Sequence, residues 1–108
     1  MWDLLKRKEA QRRERREQLR RQARNKLKDA LHELVPGQKV LLFGSVIRPY
    51  GFHERSDIDI AFVEEPKQSR YLLQAKLEEF IHHSVDVVVL AECRFREKIE
   101  REGEAWTT

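Results

Sequence analysis

Two apolar runs in this chain carry carboxylates where a strand core expects hydrocarbon. Ser56-Asp57-Ile58-Asp59-Ile60-Ala61-Phe62 sets two aspartates one residue apart, and Val85-Asp86-Val87-Val88-Val89-Leu90 sets a third among four valines. Both runs read as buried strands. Residues i and i+2 of a strand share a face, so Asp57 and Asp59 are expected to project together, roughly 6–7 Å apart along the chain. Carboxylates 4 Å apart repel by about 4 kcal/mol at an effective dielectric near 20. An acid among valines is costly unless it is paired or metal-bound. A fold that keeps such a set has something cationic between its members, and oxygen-only ligands favour Mg²⁺.

Upstream, the apolar run Leu41-Leu42-Phe43 ends in Gly44-Ser45. A Gly-Ser step at a strand end lets backbone N–H groups and a hydroxyl hold a phosphate. An isolated Asp-x-Asp usually has no special role, and an isolated Gly-Ser says less. Their combination with Asp86 is far more specific, and it points to phosphoryl or nucleotidyl transfer.

The order strand, Gly-Ser, short turn, Arg, loop, Ser-Asp-x-Asp, strand, with a later Asp on a third strand, resembles the polymerase-beta-type nucleotidyltransferase superfamily. The short length makes the chain similar to its minimal nucleotidyltransferases (MNT). The resemblance covers roughly residues 39 to 90. It implies that Gly44 and Ser45 bind the triphosphate, with Arg48 matching the arginine that commonly follows Gly-Ser by three residues. It implies that Asp57 and Asp59 ligate two Mg²⁺ ions, and that Asp86 completes the metal site and helps activate an attacking hydroxyl. The implied reaction is attack on the α-phosphate of a nucleoside triphosphate, ATP being the expected one, with pyrophosphate leaving. The family further implies a HEPN-type helical partner, with the MNT member acting as antitoxin and adenylylating a tyrosine of the toxin.

One departure concerns the turn after Ser45. The common pattern has Arg-Gly where this chain has Arg48-Pro49. Proline is expected to push Arg48 away from helical angles and to end the turn, leaving Gly51 to supply the flexibility.

Length and composition bound the remainder. At 108 residues the chain builds one core, with no room for the helical domain that clamps the base in larger relatives. Base binding is therefore expected to be weak or completed by a partner. The single Cys93 rules out an intramolecular disulfide. The lack of a signal peptide and of any apolar run of about 18–20 residues leads to the expectation of a cytoplasmic protein without membrane contact. No EF-hand spacing surrounds the Asp-x-Asp, and His82-His83 with Cys93 lacks a zinc ligand set; the two histidines are expected to cap or follow a helix end.

Charge divides the chain. Residues 1–40 carry a net +7 and residues 41–108 a net −4, so the whole-chain +3 comes from the N-terminal segment. Lys6 to Gln18 is rich in helix formers and nearly free of large apolar residues, a solvated helix with pairs such as Glu9–Arg13 and Glu17–Arg21. From Leu19, the residues Ala23, Leu27, Ala30, Leu31 and Leu34 recur at three- and four-residue spacing and form an apolar stripe, stopped by Pro36-Gly37. The expectation is one long basic helix, with residues 1–18 projecting and the domain occupying 19–108. Met1, Trp2, Leu4 and Leu5 form an apolar tip that invites a protein partner or self-association. Nucleic-acid contact is possible but not favoured, since no interleaved aromatics support base stacking.

Strands are expected at Lys39–Phe43, Asp57–Val63 and Val85–Leu90. A helix is expected from Ser69 to His82, buried along Tyr71, Leu72, Ala75, Leu77, Phe80 and Ile81. A closing helix from Arg94 to Gly103 turns Phe95 and Ile99 inward, and Trp106 docks at the terminus. The fold class is α/β (α+β), a small mixed sheet of at least three strands flanked by helices. The leading reading is a Mg²⁺-dependent nucleotidyltransferase. The alternatives are a catalytically idle module that neutralises a partner by occlusion, or a transferase acting on RNA or a small molecule.

Overall fold

The computed structural model describes residues 1–108. Helix α1 runs from Trp2 to Leu34, about 50 Å at 1.5 Å per residue, and sets the 55 Å long axis of the molecule. Strand β1 (Lys39–Phe43), a single 3₁₀ turn (Gly44–Ile47), β2 (Ile58–Phe62), α2 (Arg70–Ile81) and β3 (Val85–Val89) follow. A second 3₁₀ turn (Leu90–Glu92), α3 (Arg96–Glu102) and β4 (Glu104–Thr107) complete the chain. The sheet order is β3-β2-β1-β4. β1 pairs antiparallel with β2 and β4, and β2 pairs parallel with β3 through the α2 crossover. The expected mixed sheet is therefore present.

Alternation along the strands assigns each face its task. Val40, Leu42, Ile58, Ile60, Phe62, Val85 and Val87 point to one side, where Ala23, Leu27 and Leu31 of α1 and Leu73, Leu77 and Ile81 of α2 cover them. The opposite face carries Leu41, Phe43, Ala61 and Val88, and there Ile99 of α3 and Leu90 form a smaller cluster. This period of two puts Asp59 and Asp86 on the second face, with α3 rather than the main core.

Exposure changes along α1, while Glu17 and Arg13 of the expected projecting segment reach Tyr50. Residues 1–16 are exposed, and burial begins past Leu19. Other sequence-based expectations need correction. In α2 the buried row is Leu73, Leu77 and Ile81, a strict i, i+4, i+8 line, while Tyr71, Leu72, Ala75 and Phe80 face outward. Aromatic size was a poor guide there; a helix above a sheet needs only a narrow line of aliphatics. Phe95 lies outside α3 and is 67% exposed, leaving Ile99 to turn inward.

The expected ion pairs Glu9–Arg13 and Glu17–Arg21 do not form. Glu17 pairs with Arg20 at 2.6 Å, and Arg21 reaches Glu14 at 3.7 Å. Arg13 instead lies 4.3 Å from the Tyr50 ring centroid. Trp106 docks as expected but does so within β4, and Arg24 sits 5.4 Å from its ring while bonding Glu104 at 2.6 Å. No helix is long and apolar enough to cross a membrane.

The two halves of α1 should therefore respond differently to truncation. Leu27→Ala, at a fully buried site, is expected to cost about 2–5 kcal/mol, whereas exposed Leu5→Ala should stay within about 0.5 kcal/mol. Urea denaturation of both variants checks the division.

Candidate functional site

The site forms where three strands end together. Cross-strand register sets Phe43 opposite Asp59, and Asp59 beside Asp86. Neighbouring strands lie about 4.8 Å apart, so two carboxylates project from adjacent rungs of one sheet face. Asp57 lies one residue before β2 and is exposed, as is Asp86, while Asp59 is half-buried. β2 is thus shorter than expected, and Asp57 joins the edge from the loop and not from the strand.

That loop is built to be rigid. The Ser56 N–H donates to the His53 carbonyl at 3.0 Å, the His53 N–H to Ser56 Oγ at 3.1 Å, and the Arg55 N–H to His53 Nδ1 at 3.1 Å. From behind, His83 Nε2 donates to the Ser56 carbonyl, and its ring packs 5.0 Å from that of buried Phe52. His82, in left-handed conformation at φ 58°, caps α2 and turns the chain into β3. The histidines follow a helix end as expected. The fastening of the Asp57 loop by His83 had no local sequence signal.

Gly44 closes the other side. It has φ +76°, and a Cβ there would collide with Asp59 Oδ2. The backbone of the Gly-Ser step therefore lies directly against the half-buried carboxylate, and only glycine permits both the angle and the approach. Ser45 follows within the 3₁₀ turn, and Arg48 ends it in extended conformation, its N–H donating to the Ser45 carbonyl at 3.1 Å. Pro49 thus ends the turn as predicted. The flexibility assigned to Gly51 belongs instead to Tyr50, which takes φ 62°; Gly51 is needed because a Cβ would come within 2.9 Å of Arg48 Cβ.

α1 clamps this turn. Arg20 donates to the Val46 carbonyl at 3.2 Å, and Glu17 accepts the Tyr50 N–H at 2.9 Å while holding Arg20. Arg20 and the Tyr50 N–H together lower the Glu17 pKa to about 2. These two residues position the Gly-Ser turn from a helix some 25 residues upstream, a role their sequence context does not reveal.

Burial, followed by the charges of Asp86 and Asp57, raises the Asp59 pKa to about 6. The donor set is all carboxylate oxygen, which suits a hard divalent cation such as Mg²⁺. The side chains do not form a closed cage: no three His, Cys, Asp or Glu residues converge in that way. A cleft of about 630 Å³ opens beside the Gly-Ser turn, lined by Phe43, Gly44, Arg48, Phe95 and Lys98. Its volume falls within the range of small-molecule sites, and the exposed Phe95 forms part of its wall. A smaller hollow of about 280 Å³ contains Asp86 and shares the Phe43 wall.

A mixed sheet that gathers acids at one edge beside a Gly-Ser turn defines a nucleotidyltransferase-type architecture. The family model for polymerase beta nucleotidyltransferases matches residues 25–105, and the chain belongs to that family. Three solved structures are similar. A toxin–antitoxin crystallised with AMP-PNP is 28% identical with a TM-score of 0.61, the match covering 78% of this chain and 73% of the other. The toxin–antitoxin MntA–HepT is 26% identical with a TM-score of 0.55, covering 80% and 71%. A tyrosine-to-alanine mutant of that toxin–antitoxin is 27% identical with a TM-score of 0.59, covering 79% and 72%. No curated protein sequence matches.

Two outcomes follow. An acid whose pKa is raised by folding opposes the fold once ionised, so in the presence of a chelator Asp59 should cost stability as pH rises from about 4 to about 6. Asp59→Asn removes that cost. After allowance for solvent screening of a half-exposed group, its advantage should reach about 1–2 kcal/mol above pH 6 and vanish near pH 4, as read by thermal melts across that range. Gly44→Ala should lose about 1–3 kcal/mol from backbone strain and collision, and combining it with Asp59→Ala should recover part of the loss in a double-mutant cycle.

Proposed function

We propose that this chain transfers a nucleoside monophosphate, AMP from ATP, to a hydroxyl on a HEPN-type toxin partner, a tyrosine being the expected acceptor. The observation that carries the reading is the shared edge of Asp59, Asp86 and Gly44 on adjacent strand ends. The similarity to toxin–antitoxin structures, one of them with AMP-PNP, supports the partner class and the nucleotide.

The backbone N–H groups at Gly44 and Ser45, with the Ser45 hydroxyl, bind the β- and γ-phosphates, and Arg48 adds a guanidinium at the end of the turn. The cleft behind Phe43 accepts the nucleoside, with Lys98 at its rim. Asp57, Asp59 and Asp86 would hold Mg²⁺, two ions being expected, which supplies charge stabilisation to the attacking and leaving oxygens. Asp86, exposed on β3, accepts the proton of the incoming hydroxyl. The hydroxyl oxygen bonds to the α-phosphorus, the bond from that phosphorus to the bridging oxygen breaks, and pyrophosphate leaves with the bond electrons.

Incubation with [α-³²P]ATP, Mg²⁺ and the partner protein should label the partner and release pyrophosphate. Asp59→Asn should reduce labelling by more than about 10²-fold while leaving the fold intact. Ser45→Ala should weaken triphosphate binding by about 1.5–3 kcal/mol with little change in metal binding. Full labelling by Asp59→Asn would exclude the site, and tight partner binding without any label transfer would favour neutralisation by occlusion.

A further inference from the structure

A second cleft, similar in volume to the first, lies on the far side of the Asp57 loop, between α1 and the turn at residues 53–55. One wall is helical: Arg12, Arg15 and Arg16 at i, i+3 and i+4 point into it. His53 and Arg55 line the other wall. The five ion pairs of the chain engage Arg20, Arg21, Arg24, Arg70 and Arg96, so none of these four cleft arginines is neutralised by a carboxylate. The two acids of α1 nearest these arginines in sequence pair elsewhere: Glu17 with Arg20 and the Tyr50 N–H, and Glu14 with Arg21. Glu54 is the one carboxylate on the cleft wall, and Leu19 is its one hydrophobic residue.

These features select a ligand class. Protein interfaces bury an apolar centre with aromatic or aliphatic anchors, which this cleft lacks. Interfaces with nucleic acid are polar and strongly positive, and planar guanidinium forks match phosphate oxygens bidentately. Neither wall carries Phe, Tyr or Trp, and the single ring, the imidazole of His53, makes no row of stacking platforms. Contact with the sugar–phosphate backbone is what remains. The matched family region begins at residue 25, so the wall formed by Arg12, Arg15 and Arg16 lies outside it, while His53 and Arg55 lie within it.

We propose that the cleft between α1 and the 53–55 turn binds the phosphodiester backbone of a nucleic acid, without base specificity. Arg12 to Arg16 spans about 6 Å of helix, one phosphate spacing along a strand, and Arg55 grips from the opposite wall. About four phosphates are neutralised.

The test uses the full chain and fluorescence anisotropy with labelled 20-mers of single-stranded RNA, duplex RNA and duplex DNA. Whichever form binds best, its affinity should fall by about 50- to 150-fold between about 50 and 200 mM salt, the loss expected for about four phosphates. The triple variant Arg12→Ala, Arg15→Ala and Arg16→Ala should leave only about a threefold salt dependence. The control triple Lys26→Ala, Lys67→Ala and Lys76→Ala, equal in charge and exposed elsewhere, should keep the wild-type slope. Alanine at exposed helix positions favours the helix, and circular dichroism confirms that both triples are folded. Equal losses in the two triples, or no binding of any oligonucleotide by wild type, overturn the proposal. So does competition by polyglutamate of matched charge at equal potency, which would assign the cleft to an acidic protein. The readout needs no transfer activity, so its failure leaves the nucleotidyltransferase reading standing.

Discussion

Asp59 occupies an interior strand with Asp86 on one neighbour and the end of β1 on the other, and the backbone of Gly44 closes over it. Three features of the sequence exist to make that arrangement possible: a residue without Cβ at the strand end, a parallel β2–β3 pair that brings Asp86 level, and a face left uncovered beyond α3. The arrangement costs stability, because burial and two neighbouring carboxylates oppose ionisation of Asp59. A local choice that works against its own fold is the mark of a site kept for chemistry. The main core, on the opposite face, carries the offsetting hydrophobic contacts of α1 and α2.

The second dependency is the long helix. Its C-terminal half is ordinary core, but its middle does something the domain cannot do alone. Arg20 holds the Val46 carbonyl within the 3₁₀ turn that starts at Gly44, and Glu17 holds the Tyr50 N–H just beyond it. Backbone groups in a 3₁₀ turn followed by a left-handed residue have few partners of their own. A charged pair reaching in from a helix satisfies them without covering the face toward Asp59. Rigid support for a short polar turn is what preorganised phosphate binding needs.

Legibility in the sequence followed the range of the interactions. Continuous apolar runs mark β1, β2 and β3, and the acids within β2 and β3 mark the site, because each signal is local. Pro49 announced the end of the 3₁₀ turn for the same reason. The buried face of α2 follows spacing and not size: Tyr71 and Phe80 are large and exposed, whereas Leu73, Leu77 and Ile81 fall on one line over the sheet. β4 carried no signal: four residues with one tryptophan form a strand only because β1 has a free edge. The contacts from His83 to Ser56 and from Glu17 to Tyr50 join residues 27 and 33 apart, and nothing in either segment names its partner.

The charge distribution around the edge imposes an asymmetry on any nucleotide that binds there. Carboxylates that repel one another also repel a triphosphate, so phosphate can approach only from a side where cations of the chain outweigh them. On the Gly44 side, Arg48 and Lys98 line the larger cleft. On the Asp86 side, Asp86 and Glu92 balance Arg70 and Arg94, and Arg70 is engaged by Glu92 at 2.8 Å. In the proposed reaction the triphosphate would therefore enter over the Gly-Ser turn, leaving the hollow at Asp86 for the neutral hydroxyl of an acceptor. Phe43, Phe95 and Ile99 border both spaces, and in the proposed reaction this partition would let attack and departure proceed from opposite sides of the α-phosphorus, as an in-line displacement requires.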